Sequence, residues 1–596
     1  MTAIPNERDV KDVSIAPDGA IVEDDKRSAA MNSQSTLTPT ALPEGCSYGD
    51  LDGERVIWVD FPPGSKHNPF YYPKRVKVCI VICTLIYTWF CSSTASAFAI
   101  SANSMCQELG CSTIEAQAGI GLYAWGAGIM PLFIAPISEE FGRRPIYLTA
   151  AVTFLLFHVM NGAAKNTATV LVSRFMAGLS GSVGTSIVGG TLSDIFIPAQ
   201  RGLPMLLSGF CLYLATGTAG TMFAYVDSRV GWRWVWWVHV IGLGACLPMF
   251  IFTMPETRSG LILRRRARKL RKERGMRDGA RYLSHDEVEK EKFWPALKRS
   301  ATRPLYFLAT EPIVTFFSLW VALAWSVMYV QIEGLPYMMR HIYGFHLEGV
   351  GLMYLTTAIG SVFGLFAGKA QEKLYKRMAP KKGVEARLYG PMVAGVVFAA
   401  GCFITGATAS ADVHWIGSAI GQVIMIAAIM TIYVTAFTYV SECYGTYASS
   451  AIAGQSTSRN MIGGGFAFAT DAMFRSMTVR WAIIMMGCIA ALLALVPFIA
   501  YFYGPAIRAR SPYSRALMQQ EKDALDAERI QREAMGINMD GVEDYEGDAN
   551  EKTMDEAVVA EEARHAEHEQ RNEQRQVEHA RHHAEHEQHR HQHQGT

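Results

Sequence analysis

The sequence predicts an all-α polytopic membrane protein with a two-bundle fold, six helices in each bundle and both termini in the cytosol. Three observations predict it. Of 596 residues, 50% are hydrophobic and only 18% are charged, against about 25% charged in soluble domains. That charge is packed into the two ends and one central segment. The stretches between hold windows of roughly 20 apolar residues, the length that crosses about 30 Å of hydrocarbon as a helix. Lys and Arg concentrate in alternate connections, as orientation by positive charge requires.

Residues 1–74 are polar, with acidic patches such as Glu23-Asp24-Asp25, and no apolar run near the start suggests a cleavable signal. A largely disordered cytosolic tail is expected there. Twelve spans follow, at 76–101, 116–138, 146–163, 168–194, 202–226, 233–254, 306–332, 348–370, 388–408, 413–440, 448–474 and 480–503. They divide the chain into a first bundle at 75–254, a basic loop at 255–305, a second bundle at 306–504 and a charged tail at 505–596. Equal halves of six point to a duplicated transporter, with its site between the halves near the midplane. The loop run from Arg264 to Arg277 and the group Lys373, Lys376, Arg377, Lys381, Lys382 and Arg387 must be cytosolic.

Composition excludes several classes. The 55 Lys and Arg against 54 Asp and Glu leave no broad basic field for nucleic acid. The 11 Cys are mostly scattered as small hydrophobes; only Cys106 and Cys111 could pair, or they stay free thiols. Nine of the 16 His fall between His565 and His593. Their spacing allows a metal-binding helix face, but the composition favours a solvated low-complexity tail. No cofactor or resident metal is expected, no nucleotide-binding loop is present, and no catalytic constellation emerges.

Ionisable residues inside spans cost at least ~2.5 kcal/mol each, so each is a functional candidate. Arg174 and Arg459 stand out, the first followed by small residues through Ser182, the second beside Asn460 and before Gly463-Gly464-Gly465. The second connection reads Pro136-Ile137-Ser138-Glu139-Glu140-Phe141-Gly142-Arg143-Arg144-Pro145. It resembles the loop signature of the major facilitator superfamily in its fungal form. Leu171-Val172-Ser173-Arg174, Gly231-Trp232-Arg233-Trp234, Pro255-Glu256-Thr257-Arg258, Glu385-Ala386-Arg387-Leu388 and Tyr444-Gly445-Thr446-Tyr447 resemble further marks of the twelve-span drug:proton antiporter branch.

The resemblance implies a cytoplasmic charge relay at Glu139, Arg143, Arg144 and Asp194 that holds the halves together on the inner face. It implies export of drugs or secondary metabolites at the plasma membrane by a protein expected to be monomeric, with protons as coupling partner. Where the branch carries Gly-Pro in the fifth span, this chain has Ala219-Gly220, which keeps import open. By the family's plan the cavity candidates are Tyr87, Trp89, Ser93 and Ser96, then Arg174, Trp325, Tyr329, Gln331, Tyr433, Thr435 and Tyr439, with Arg459 as a second deep charge. No Asp or Glu falls in the middle third of any expected span; Glu139, Asp194, Glu311, Glu333, Glu442 and Asp471 lie towards ends. A cationic substrate would need a desolvated carboxylate, so a neutral or anionic organic compound is expected. Glu311 and Asp471 are the proton-coupling candidates, and His158 and His239 are read as packing residues. A transporter-like sensor is the alternative from another class, resting on the two long tails.

Overall fold

The computed structural model describes residues 42–515 apart from 52–53, 63, 276–279, 289–292 and 512. The His-rich tail and the first 41 residues lie outside the described residues. The chain begins with strands β1 (Cys46–Leu51) and β2 (Glu54–Val59), which form an antiparallel hairpin. This region was expected to be tail. Its alternation is short, but Ile57 and Val59 turn one apolar edge inward, and both are fully buried.

The first bundle follows. It comprises α1 (Lys74–Leu109), α2 (Thr113–Ile129), α3 (Pro131–Phe141), α4 (Arg143–Gly162), α5 (Thr167–Gly181), α6 (Val183–Ile195), α7 (Pro198–Val230) and α8 (Trp232–Thr253). The pair α2 and α3 is one apolar length bent by 47° at Met130-Pro131, where proline lacks the N–H an unbroken helix would use. The start of α2 is fixed by a reciprocal cap: Ser112 accepts from the Glu115 N–H while the Glu115 carboxylate accepts from the Ser112 N–H. Just before it, Cys106 and Cys111 form a disulfide with Cα atoms 4.5 Å apart.

Between the bundles lie α9 (Ser259–Arg274), β3 (Arg281–Leu283), α10 (His285–Val288) and α11 (Phe293–Thr310). β3 adds to β2 in parallel, with Ile57 opposite Tyr282. Tail hairpin and central loop thus make one three-stranded sheet, packed on the Ala267 side of α9 with Tyr282 at its centre. Arg271 pins it by donating to the Tyr282 carbonyl and pairing with Glu287 at 2.8 Å. The basic loop is therefore a folded plate rather than a spacer.

The second bundle holds α12 (Pro312–His341), α13 (Leu347–Met353), α14 (Leu355–Lys382), α15 (Tyr389–Thr408), α16 (Trp415–Tyr444), α17 (Ala448–Leu493) and α18 (Leu495–Arg510). Among the described residues ten helices are long and apolar enough to cross a membrane, and the bent pair makes an eleventh. One of the ten, Ala448–Arg510, runs 63 residues, about three times the hydrocarbon thickness if straight. It contains a non-helical residue, Thr478, at φ 65° and ψ 157°. The part before Thr478 packs on α2 and α12, with Gly464 against Trp125 and Gly463 against Tyr329; the part after it packs on α15, with Gly487 against Phe403.

The halves meet along two seams, α17 on α2 and α13–α14 on α7. Backbone carbonyls tie them: Thr457 Oγ1 donates to the Gly128 carbonyl at 2.8 Å, Trp125 Nε1 to Met461 at 3.1 Å and Thr221 Oγ1 to Gly351 at 2.8 Å. Thr478 is the one non-glycine residue at positive φ among the described residues, a conformation that costs a β-branched side chain of order 1–3 kcal/mol. Thr478→Gly is expected to stabilise the purified protein by about 1 kcal/mol, read as a rise of a few degrees in thermal unfolding in detergent.

Candidate functional site

Between the bundles lies a narrow chamber made of two adjoining clefts of about 60 and 50 Å³ that share Thr185 and Leu212. The first is lined by Tyr123 and Thr216 from one half and Trp325, Tyr329, Arg459 and Asn460 from the other. The second is lined by Thr88, Val188, Tyr433 and Phe437 among others. No Asp or Glu lines either. A larger groove of about 500 Å³ at Glu108, Trp232 and Trp237 lies at the far ends of α1 and α8 and shares no lining residue with the chamber.

Arg459 is the charge of the chamber. Its guanidinium lies 4.6 Å over the Trp325 ring and 4.8 Å over the Tyr433 ring, which themselves meet at 5.2 Å. Nη2 donates to Ser456 Oγ at 3.2 Å, and Nε is buried without a partner. Aromatic faces attract a desolvated guanidinium by ~2 kcal/mol or more, enough to hold it without a carboxylate but leaving donors unspent. Of the sequence candidates, Tyr329, Tyr433, Trp325 and Arg459 thus meet at one place.

The others lie elsewhere. Arg174 is fully buried inside the first bundle, where Nε donates to the Gly119 carbonyl at 3.0 Å and the guanidinium lies 4.6 Å from the Phe98 ring and 4.4 Å from the Tyr123 ring. It braces Tyr123, which does line the chamber, from behind. Tyr87 donates to the Ser180 carbonyl at 3.0 Å within the same core, and Ser93 bonds His239 Nε2 at 3.0 Å. Each of His158 and His239 donates from Nδ1 to the carbonyl four residues back, the packing role expected. Tyr439 packs on Phe317 at 5.0 Å in the second core. Neither it nor Gln331 lines the chamber. These five candidates share a cause: the family plan gives which helix lines the cavity, but a residue's face depends on the helix rotation set by packing.

At the basic face, Arg143 pairs with Asp194 at 3.0 Å and donates to Ser138 Oγ at 2.6 Å. The third member is Glu256, whose carboxylate accepts from the backbone N–H groups of Arg143 at 2.8 Å, Thr257 at 3.0 Å and Arg258 at 3.0 Å. This is an anion seated on the N-terminus of α4, where free N–H groups and the helix dipole favour it. Gly142 stands at φ 96°, and any Cβ there would collide with the Glu256 carboxylate. Glu139 stays half exposed, 4.0 Å from Arg258, and Arg144 reaches the Ile251 carbonyl at 2.8 Å. The charged cluster therefore centres on Arg143, Asp194 and Glu256, with Glu139 and Arg144 at its edge.

All of these residues lie in the first bundle or, for Glu256 and Arg258, in the first residues of the central loop that follows it, so the charges do not bridge the halves as expected. They fix the α3–α4 corner instead, and the corner meets the other half through α11, where Ser300 Oγ donates to the Leu132 carbonyl at 2.9 Å. The second bundle repeats the device. Arg387 pairs with Glu442 at 2.5 Å and Glu372 at 3.2 Å under the Tyr375 ring, and Arg508 pairs with Glu385 at 2.5 Å. Glu256, Glu385 and Arg387 stood in motifs noted in the sequence, but their roles there were unassigned.

Of the carboxylates expected to couple protons, Glu311 sits before α12 at the basic face and accepts from Tyr444 OH at 3.0 Å. Asp471 is paired with Arg475 at 2.7 Å. Glu333 was read as an end residue, but α12 continues to His341 and places it inside the helix.

The sequence profile described as Major Facilitator Superfamily matches residues 80–468. The chain belongs to the major facilitator superfamily. This superfamily member is 29% identical over 489 residues to the multidrug transporter TPO1_2 of Candida glabrata, covering 80% of this chain and 82% of that one. It is 30% identical over 406 residues to the probable drug/proton antiporter YHK8 of Saccharomyces cerevisiae, covering 66% and 77%. In fold it is similar to a crystal structure of the peptide transporter POT, with a TM-score of 0.53 at 12% identity, covering 74% of this chain and 96% of that one. It is a multi-pass membrane transporter and not an enzyme.

Removing one partner of a partly buried pair costs several kcal/mol, on the order of 3–5. Arg143→Ala and Glu256→Gln are both expected to leave surface abundance near normal and to slow transport several-fold in whole cells. Unchanged transport at equal abundance would remove the α3–α4 corner from the transport cycle.

Proposed function

We propose that this transporter is a monomeric exporter at the plasma membrane, driven by the proton gradient, that carries small organic anions with an aromatic or apolar body. The observation that carries this is Arg459, stacked on Trp325 and Tyr433 with a buried, unpartnered Nε and no Asp or Glu lining the chamber. A guanidinium with spare donors offers bidentate recognition to a carboxylate or sulfonate. The rings and Leu212, Met328 and Ile332 supply the apolar wall, and the two narrow clefts widen to take a drug-sized molecule as the bundles rock apart. A polyamine would meet a bare cation there with nothing to offset its charge.

In this reading the chain crosses the membrane twelve times, with Thr478 at the turn between the last two spans and the basic face, with both termini, in the cytosol. Alternating access rocks the two bundles about the α2–α17 and α7–α14 seams. Its relatives, a multidrug transporter and a probable drug/proton antiporter, support export. The loss of the fifth-span proline leaves α7 unbroken through Ala219-Gly220, so vesicle experiments should be run in both directions.

Arg459→Ala is expected to cut efflux of an anionic aromatic acid by about tenfold or more, the scale of a lost charge-assisted hydrogen bond, while its neutral methyl ester changes by less than about twofold. Arg459→Lys keeps the charge but loses the planar fork and stacking, and should fall between. Equal loss for acid and ester would sink the anion assignment. Rates in inside-out vesicles, compared with and without an imposed pH difference, provide the measurement.

A further inference from the structure

We infer that Glu333 is the carboxylate that binds the coupled proton, and that the chamber closes at the end away from the basic face when this proton is bound. This rests on the exporter reading above. Glu333 stands four residues after Tyr329, which lines the chamber. Residues four apart share one helix face, so Glu333 sits on the same side of α12, one turn of about 6 Å further from the basic face.

The surroundings of Glu333 are built for a group that changes charge. Its Oε2 is buried without any hydrogen-bond partner, while the residue keeps partial exposure. The charged group facing it is another acid, Asp471 of α17. Arg475 does not balance the two, because it already neutralises Asp471 at 2.7 Å and is itself mostly exposed. From the other elements packed here come Tyr354, whose hydroxyl is committed to the Ile332 carbonyl at 2.5 Å, and Asp227 of α7, held by Ser104 at 2.7 Å. Arg340, two turns on along α12, makes no ion pair with Glu333 among the described residues. One negative charge is left over, and an unpaired carboxylate held away from water is far costlier than a carboxyl group.

Beyond Glu333, α12 and α17 are tightly joined within the second bundle: Gly334 packs against the ring of Phe474 where a side chain would stand, and the same ring meets Tyr337 at 5.7 Å. Water therefore reaches Glu333 through the gap between the bundles: when they close at this end Glu333 loses water, and when they part there water can solvate the charge. A proton from the outer solution forms an O–H bond on the carboxylate and lets this end close. The bond breaks when the chamber faces the cytosol and the proton leaves. The carboxylate restored, together with an anion bound at Arg459, then favours the form open at the end away from the basic face. Proton and anion thus drive opposite forms, which is the requirement for exchange.

Two measurements on the full chain in liposomes test this. Infrared difference spectra on pH titration should show a protonated-carboxyl carbonyl band that disappears in Glu333→Gln. In Asp471→Asn, which removes the facing negative charge, the band should titrate at lower pH. With fluorescein as probe, Glu333→Gln should reduce accumulation driven by a pH difference by about tenfold while leaving equilibrium exchange within about twofold of normal. A band unchanged in Glu333→Gln, no such band in the unaltered protein, or gradient-driven accumulation preserved in Glu333→Gln overturns the assignment. Failure of the unaltered protein to exchange fluorescein at all would count against the anion-exporter reading instead, and the infrared result would still decide whether Glu333 takes up a proton. If Glu333→Gln fails to fold, the Asp471→Asn titration decides alone, an unmoved band overturning the inference.

Discussion

A charge in a water-poor interior must be met by the protein itself, and this structure is arranged around the different ways its arginines are met. Arg143 and Arg387 receive carboxylates at the basic face, where water is near and the pair can be remade. Arg174 receives backbone carbonyls and aromatic faces deep in the first bundle, and is spent as a brace. Arg459 receives two rings and one hydroxyl, and part of its capacity stays open. The same residue type is therefore satisfied by carboxylates, by backbone carbonyls or by aromatic faces according to what surrounds it.

The same rule governs how the halves touch. Apart from the exposed Arg229–Glu348 pair at 3.5 Å, the polar ties across the seams described here run from hydroxyls and an indole to backbone carbonyls. Such neutral bonds contribute on the order of 1 kcal/mol each, so they register the bundles without locking them. The strong ion pairs stay within a half and keep each bundle rigid. Rigid bodies joined by weak ties are the mechanical condition for rocking rather than deformation.

Much of this was legible in the chain. Hydropathy windows and loop charges gave the membrane class and the two-bundle plan, because hydrocarbon demands long apolar helices and few charges. Arg459 was legible as a deep charge, and Arg143 and Asp194 as partners, through their motifs. Rotation of a helix about its axis was not. Tyr87 and Ser93 turn into the first bundle because α1 packs closely on α5, α6 and α8, a fact no spacing reveals. Glu333 was hidden by a span limit drawn at 332, where the hydropathy dips although the helix goes on to His341. The hairpin Cys46–Val59 went unread because its partner strand, β3, lies in another part of the chain and a short strand shows little pattern alone.

That sheet has a consequence for how the protein is made. Val56 pairs with Arg281, so the sheet cannot be completed until the ribosome has passed the whole first bundle. The hairpin must wait as an open edge, a form vulnerable to stray pairing, while the translocon threads the first bundle. Its capture by β3 then records that this bundle has crossed the membrane an even number of times, since only then do tail and loop meet on the same side.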